Sequence, residues 1–199
     1  MATALYLAHL NPVTNAHVDI IQDLIKEADT IKVMPVVFKY DNIELNSRSF
    51  PFDYNTRKRM LESVFGDTIC ISDDYTFEAP FKKYIPPVIS KKSWSLRSKI
   101  LNNVHGDFFS YTGDKSEGVM LRLYRLRPRV GERRPISATS VKSLLYRSVT
   151  TDSIDAWKSQ VPEPVVDIIH ERWDTVRQFA ASPDDTIRVL GMKFPKKGW

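Results

Sequence analysis

Residues 3–17 read Thr3-Ala4-Leu5-Tyr6-Leu7-Ala8-His9-Leu10-Asn11-Pro12-Val13-Thr14-Asn15-Ala16-His17. The first six are apolar or β-prone and stop at a turn, which predicts a buried strand. Apolar residues then recur at helical spacing after Thr14, whose hydroxyl can cap the first turn of a helix. His17 falls in that turn, beside free amides and the positive end of the helix dipole. A strand that leads into a helix N-terminus is a ready anion site, and the added imidazole favours phosphate.

The chain continues as a repeat of strands and helices. Residues 30–38 predict a second strand, 68–72 a third and 108–112 a fourth, and this alternation is typical of a parallel sheet with right-handed crossovers. We therefore expect an α/β fold: a Rossmann-like open parallel sheet with helices on both faces and a C-terminal helical appendage. Residues 39–50 are polar and predict a loop at the carboxyl ends of the strands, where such sheets bind ligands.

The last quarter of the chain predicts a helical extension. We expect residues 1–150 to form the core domain and residues 151–199 to pack on it. One apolar stripe on the extension indicates packing against the sheet or a second subunit: Val165, Ile168, Ile169, Trp173, Val176 and Phe179. Lys193, Lys196 and Lys197 are interpreted as a solvated tail.

Composition places the chain among soluble globular proteins. Of 199 residues, 42% are hydrophobic and 27% charged, and no apolar run approaches the roughly 20 residues of a membrane helix. The single cysteine, Cys70, lies in an apolar run and is expected to be buried, and without a partner in the chain it agrees with a cytoplasmic location. The net charge of +5 favours anionic partners, but nucleotides satisfy it as well as nucleic acid does.

Two further segments can bind phosphate. Gly113-Asp114-Lys115 follows the fourth predicted strand, where a glycine permits a tight turn and a close approach of the ligand. Ile136-Ser137-Ala138-Thr139-Ser140-Val141-Lys142 begins a helix in which Ser137 or Thr139 is the cap, so that free amides and Lys142 face the same ligand.

The opening stretch 8–17 and the segment 133–142 together resemble the two signatures of the nucleotidyltransferases that carry a Thr/His-x-Gly-His motif, and the chain is most similar to nicotinamide-mononucleotide adenylyltransferases. Thr14, Asn15 and His17 match the first signature, whereas Ala16 replaces its glycine, and Lys142 replaces the arginine of the second. The resemblance covers about residues 3–147.

The resemblance implies a set of site residues. His17, Thr14 and Lys142 are the implied catalytic residues. The implied nucleotide-binding residues are His9, Leu10, Asn11, Ala16, Gly113, Asp114, Ile136, Ser137 and Thr139. The implied acceptor-binding residues are Lys39, Arg57, Trp94 and Lys115, with Trp94 beside the nicotinamide ring.

The resemblance also implies a reaction: transfer of AMP from ATP to nicotinamide mononucleotide with release of pyrophosphate, and Mg²⁺ carried by the nucleotide phosphates rather than by protein ligands. Pantetheine-phosphate adenylyltransferase or cytidylyltransferase activity is an alternative, and so is a nucleotide-binding regulator that has lost turnover. The expected partners are small-molecule nucleotides, with a second copy of the chain as a further candidate; no membrane and no specific nucleic acid is expected.

Overall fold

A computed structural model describes residues 2–132, 134–151, 155–189 and 191–199. The strands are β1 (Ala2–Ala8), β2 (Thr30–Pro35), β3 (Val37–Tyr40), β4 (Ile43–Glu44), β5 (Cys70–Ile71), β6 (Thr76–Glu78), β7 (Asp107–Thr112), β8 (Pro128–Val130), β9 (Thr186–Val189) and β10 (Met192–Pro195). The α-helices are α1 (Asn15–Glu27), α2 (Tyr54–Phe65), α3 (Lys91–Ile100), α4 (Lys115–Leu123), α5 (Ala138–Ser148), α6 (Glu163–Glu171) and α7 (Trp173–Ala180). Short 3₁₀ turns span Gly66–Thr68, Phe81–Tyr84 and Asp155–Gln160.

The central sheet confirms the predicted α/β fold. Its five strands are parallel and lie in the order β5-β2-β1-β7-β8. The chain winds outward from β1 to β2 and β5, then returns to the other side of β1 to add β7 and β8. The strand order therefore reverses between β1 and β7, and open α/β sheets bind ligands outside the carboxyl ends of the strands at such a point.

Both faces of the sheet are covered, as predicted. Ala4 and Tyr6 of β1 pack into one hydrophobic core, and Leu5 and Leu7 pack into another, because successive side chains of a strand point to opposite faces. The first core is covered by α1, α2, α5, α6 and α7, and the second by α3 and α4. None of the helices in the described part of the chain has the length and apolar character needed to cross a membrane.

The predicted second strand is broken. Residues 30–38 divide at Val36, whose amide donates to the carbonyl of Ala8 at 2.9 Å, so that β2 stays in the central sheet. The continuation, β3, joins a separate sheet of order β4-β3-β6, and the predicted irregular segment 39–50 therefore contains β4. The expected burial of Cys70 is wrong: β5 is an edge strand, and Cys70 is exposed while its neighbour Ile69 is buried.

The C-terminal extension is more than helical. Trp157, Val165 and Val176 complete the first core, whereas Met192 and Phe194, on the antiparallel hairpin β9–β10, complete the second. Residues 152–154 and 190 of this predicted extension lie outside the described residues. The described extension thus contributes to both faces of the molecule, and its hairpin reaches the edge of the sheet where ligands are expected.

Candidate active site

A cavity of about 300 Å³ lies at the carboxyl ends of β1 and β7, where the strand order reverses. Its walls come from the loop after β1, the starts of α1, α4 and α5, the segment before α2, and β10. It brings together most of the residues that the two signatures imply: His9, Leu10, Ala16, His17, Gly113, Asp114, Ile136, Ser137, Thr139 and Lys142.

The start of α1 orients His17. Thr14 is the N-cap, and its backbone amide donates to Nδ1 of His17 at 3.0 Å. An amide can only donate, so Nδ1 is the acceptor, and the ring is neutral with its proton on Nε2. Burial and the nearby charge of Lys142 agree with this, because they lower the pKa of His17 to about 4. Thr14 itself is fully buried and positions the ring rather than lining the cavity.

Two lysines reach the cavity from different elements, α5 and β10. Lys142, one turn into α5, donates to the carbonyl of Asn11 at 2.8 Å, and burial together with the charge of Lys193 lowers the pKa of Lys142 to about 7. Lys193 lies on β10, 2.9 Å from Oγ of Ser49 and 3.4 Å from a carboxylate oxygen of Asp184. Lys193 is therefore not part of a solvated tail, and that interpretation is wrong.

The sequence around Lys193 contains a signal for a strand, because apolar and polar residues alternate there. Met192 and Phe194 are buried and Lys193 lies between them, as expected for a strand with one face in the core. Nothing in the local sequence shows, however, that this strand reaches the carboxyl end of β1. Other cavity residues that sequence reasoning missed include Ser49, Phe50, Glu117, Glu132 and Arg134.

The N-terminus of α5 faces the cavity with a neutral cap. The Ser137 hydroxyl accepts from the amide of Ser140 at 3.1 Å and is not charged. Ala138 and Thr139 form the first turn and line the cavity, and amides at this position have no partner within the helix. The helix therefore presents donors and the positive end of its dipole to an anion.

Unlike the N-terminus of α5, the N-terminus of α4 does not offer free amides to an anion, because the Asp114 carboxylate already accepts from them. Asp114 accepts from the amides of Ser116 and Glu117 at 2.7 and 3.2 Å. Glu117 accepts from the hydroxyl of Thr112 at 2.6 Å, and burial raises its pKa to about 7. With Glu132, these groups form an acidic wall on the β7 side, opposite in character to the wall that contains Lys142 and Lys193.

His9, Asn11 and Arg57 hold the loop between β1 and α1. The His9 ring stacks on Phe50 with centroids 4.7 Å apart, and burial with the charge of Lys142 lowers its pKa to about 3. The Asn11 side chain is buried and bonds both the amide and the carbonyl of Phe52. Arg57 is 2% exposed and donates to the carbonyls of His9 and Val36, at 2.9 and 2.7 Å, and to Glu44.

The implied acceptor-binding residues are not gathered in the cavity. Lys115 lines an adjoining cavity of about 860 Å³, which shares Gly113 and Asp114 with the first. Lys39 lies on β3, and the Arg57 guanidinium is bonded to backbone carbonyls and Glu44. Neither residue lines either cavity. Trp94, on α3, donates through Nε1 to the carbonyl of Val88 at 2.9 Å and is likewise outside both. Their role in acceptor binding stays a prediction.

Neither the models of protein families nor the sequences of curated proteins match this chain. Solved structures of nucleotide adenylyltransferases do share its fold. A bifunctional NMN adenylyltransferase/ADP-ribose pyrophosphatase from Francisella tularensis, complexed with AMP and a Mn ion, aligns with a TM-score of 0.66 and 13% identity over 90% of this chain and 52% of that one. This chain thus spans about half the length of that bifunctional protein.

Two further solved structures are matched over nearly their whole length. The nicotinic acid mononucleotide adenylyltransferase of Plasmodium falciparum, complexed with NaAD, aligns with a TM-score of 0.53 and 11% identity over 86% of this chain and 95% of that one. A putative nicotinate-nucleotide adenylyltransferase from Vibrio parahaemolyticus gives a TM-score of 0.52 and 15% identity over 84% of this chain and 98% of that one. At these identities the likeness shows the fold that the chain shares with them.

Proposed function

We propose that this protein is a nucleotidyltransferase that joins the AMP moiety of ATP to a phosphorylated acceptor, with nicotinamide mononucleotide as the favoured acceptor, and releases pyrophosphate. The observation that carries the proposal is the convergence of His17, Lys142, Lys193 and the N-terminus of α5 on one cavity at the switch point of the sheet. This is an arrangement of donors and positive charges around a space for several phosphates. The shared fold with nucleotide adenylyltransferases supports it.

In the proposed reaction, an oxygen of the acceptor phosphate attacks the α-phosphorus of ATP. The bond between the α-phosphorus and the bridging oxygen to the β-phosphate breaks, and its electrons leave with pyrophosphate. The attacking phosphate is already anionic, so the reaction needs positioning and charge stabilisation rather than a base. A neutral His17 suits this role, because Nε2–H can donate to the α-phosphate without competing for a proton.

The leaving pyrophosphate is assigned to the cationic wall. Lys142 and Lys193 approach it from α5 and β10, and the first amides of α5 add uncharged donors. Lysine presents a point charge rather than the bidentate fork of arginine, and two lysines together can compensate for that difference. Lys193 is thus a proposed phosphate contact that lies outside both sequence signatures.

The acidic wall is assigned to the nucleoside parts of the substrates. Asp114, Glu117 and Glu132 can accept hydrogen bonds from sugar hydroxyls and attract a positively charged pyridinium ring. The charges of Asp114 and Glu132 would repel phosphates, which favours one direction of the nucleotide in the cavity. Lys115 lines the adjoining cavity next to Gly113 and Asp114, which line both cavities. Of the implied acceptor-binding residues, it is therefore the one best placed to contact the acceptor phosphate.

Mg²⁺ is expected to arrive with ATP. Within the described residues, no group of three or more His, Cys, Asp or Glu side chains is arranged to hold a metal ion. Two carboxylates of the cavity already have partners within the protein, since Asp114 caps α4 and Glu117 accepts from Thr112. This agrees with a metal ion that is held mainly by the nucleotide phosphates. When bound, the ion neutralises charge on the β- and γ-phosphates.

The proposal is tested by pyrophosphate release. The protein is incubated with Mg²⁺ and either ATP or CTP, together with nicotinamide mononucleotide, nicotinic acid mononucleotide or phosphopantetheine. We expect release with ATP and a pyridine mononucleotide, and its loss in a folded His17→Ala variant. Release with phosphopantetheine or CTP instead would replace the favoured substrates. ATP binding without release from any pair would favour a nucleotide-binding regulator, and no ATP binding would contradict the proposal.

A further inference from the structure

A third cavity, strongly basic in character, lies at the opposite edge of the sheet. It has a volume of about 600 Å³ and occupies the amino ends of β7 and β8. The residues that line it are Arg97, Phe108, Arg122, Arg125, Arg127 and Pro128, and we call it the basic cavity. Phe108 and Thr112 of the candidate active site are four residues apart on β7, which corresponds to roughly 13 Å along the strand.

The arginines come from three different elements. Arg122 lies in the last turn of α4 and also lines the adjoining cavity of the candidate site. Arg125 and Arg127 belong to the turn into β8, and Arg97 comes from α3 and donates through Nε to the carbonyl of Tyr124 at 2.9 Å. Arg125 and Arg127 both have left-handed backbone conformations, with φ of +54° and +51°. Glycine or asparagine adopts this conformation at lower cost, so the turn places arginines where local backbone energy disfavours them.

The positive charge of the basic cavity is largely uncompensated. In the described part of the chain, its arginines have one ion pair, between Arg127 and Asp107 at 3.7 Å, and the Asp107 side chain is 92% exposed. Arg122 and Arg125 have no carboxylate within ion-pair distance among the described residues. Four guanidinium groups around one concave space repel each other, and a bound anion would relieve that repulsion.

Arginine guanidinium groups pack over the aromatic rings beside the basic cavity. Arg125 and Arg97 lie 5.4 and 5.9 Å from the Trp94 ring, and Arg127 lies 4.9 Å from the Phe108 ring. A guanidinium that packs over a ring keeps its N–H donors at its edge, where they can bind a phosphate in bidentate fashion. Single-stranded nucleic acid needs ring faces for its bases, so this arrangement favours phosphate groups over bases.

We propose that the basic cavity is a binding site for a small polyphosphate anion, a chain of two or more phosphoryl groups, separate from the candidate active site. Several arginine forks around a concave space match several phosphates. The proposal does not depend on the proposed enzymatic activity.

The experiment is isothermal titration calorimetry with inorganic tripolyphosphate at low salt. The cationic wall of the active site is also proposed to bind phosphates, so we expect two sites in the wild type, and the variant Lys142→Met/Lys193→Met should lose the active-site one and keep the other. The double variant Arg125→Gln/Arg127→Gln should lose that other site or bind there at least tenfold more weakly, and it leaves Arg122 unchanged because Arg122 also lines the adjoining cavity. The matched control, Arg59→Gln/Arg147→Gln, removes the same charge from exposed arginines of α2 and α5 and should keep both sites.

A single variant guards against misfolding of the double variant. Arg125→Lys keeps the charge but loses the fork, and we expect a several-fold loss only at the site that Lys142→Met/Lys193→Met retains. The proposal is overturned if folded Lys142→Met/Lys193→Met binds no tripolyphosphate, if Arg125→Gln/Arg127→Gln retains full affinity, or if the control loses affinity equally. Tighter binding of a decathymidine oligonucleotide through the same two arginines would overturn it in favour of single-stranded nucleic acid. Pyrophosphate release enters none of these readouts.

Discussion

Lys142 makes ATP binding depend on pH in a calculable way. Burial and the charge of Lys193 lower its pKa to about 7, so most of the free protein carries a neutral Lys142 above that pH. A bound triphosphate favours the charged form, so binding is accompanied by proton uptake. The protonated fraction falls from roughly a quarter at pH 7.5 to about one hundredth at pH 9, and the affinity for ATP should fall roughly twentyfold over this interval, provided that the bound lysine stays protonated.

The measurement is calorimetric titration with ATP at both pH values, in two buffers of different ionisation enthalpy, which gives affinity and proton uptake together. Lys142→Met is the control: it should bind ATP more weakly at pH 7.5 but show little further loss at pH 9. Lys193→Met removes the neighbouring charge, so the pKa of Lys142 should rise and the decline should begin at higher pH. Equal affinity of the wild type at the two pH values, or proton uptake that persists in Lys142→Met, would refute the reasoning.

Three further predictions concern single side chains. His17→Ala should lower the rate of pyrophosphate release by ~10²–10³ with little change in melting temperature, since it removes one preorganised donor; near wild-type turnover in a folded variant would exclude the assigned role. Glu117→Gln should make the protein more stable at pH 8, because burial raises the Glu117 pKa from 4.5 to about 7 and stability is lost as pH rises through that interval. Urea unfolding at pH 5 and 8 checks this, and a larger pH dependence in the variant would contradict it. Trp94→Ala tests the implied acceptor contact: because the Trp94 ring lies outside both cavities of the candidate site and beside Arg97 and Arg125, we expect an unchanged KM for nicotinamide mononucleotide in a stable variant, whereas a five- to thirty-fold rise without an effect on ATP, about 1–2 kcal/mol, would restore the stacking role.

The features that the sequence predicts well are local ones. The run 3–8 and the capping residue Thr14 indicate β1 and α1, because a strand and a helix cap depend on residues close together in the chain. Ser137 and the apolar spacing after it likewise indicate α5. Since parallel strands end at one edge of a sheet, these elements also predict that the two signatures meet, and the cavity contains most of the residues that they imply.

The tertiary structure decided what distant segments do together. It breaks the predicted second strand at Val36 because the amide of Val36 bonds Ala8, and it exposes Cys70 because β5 is an edge strand. It brings Lys193 to the cavity because Met192 and Phe194 anchor the last hairpin in the second core.

Tertiary structure also completes the basic cavity. Arg122, Arg125 and Arg127 lie within six residues of the sequence, and Arg97 joins them only because α3 and the end of α4 pack on the same face of the sheet. Composition alone gives a net charge of +5 and says nothing about where it is concentrated. Neighbouring residues in the sequence therefore suffice to indicate β1, α1, α5 and the phosphate-binding signatures. Which distant charges share a cavity depends on packing between elements far apart in the chain, so it follows from the folded structure alone.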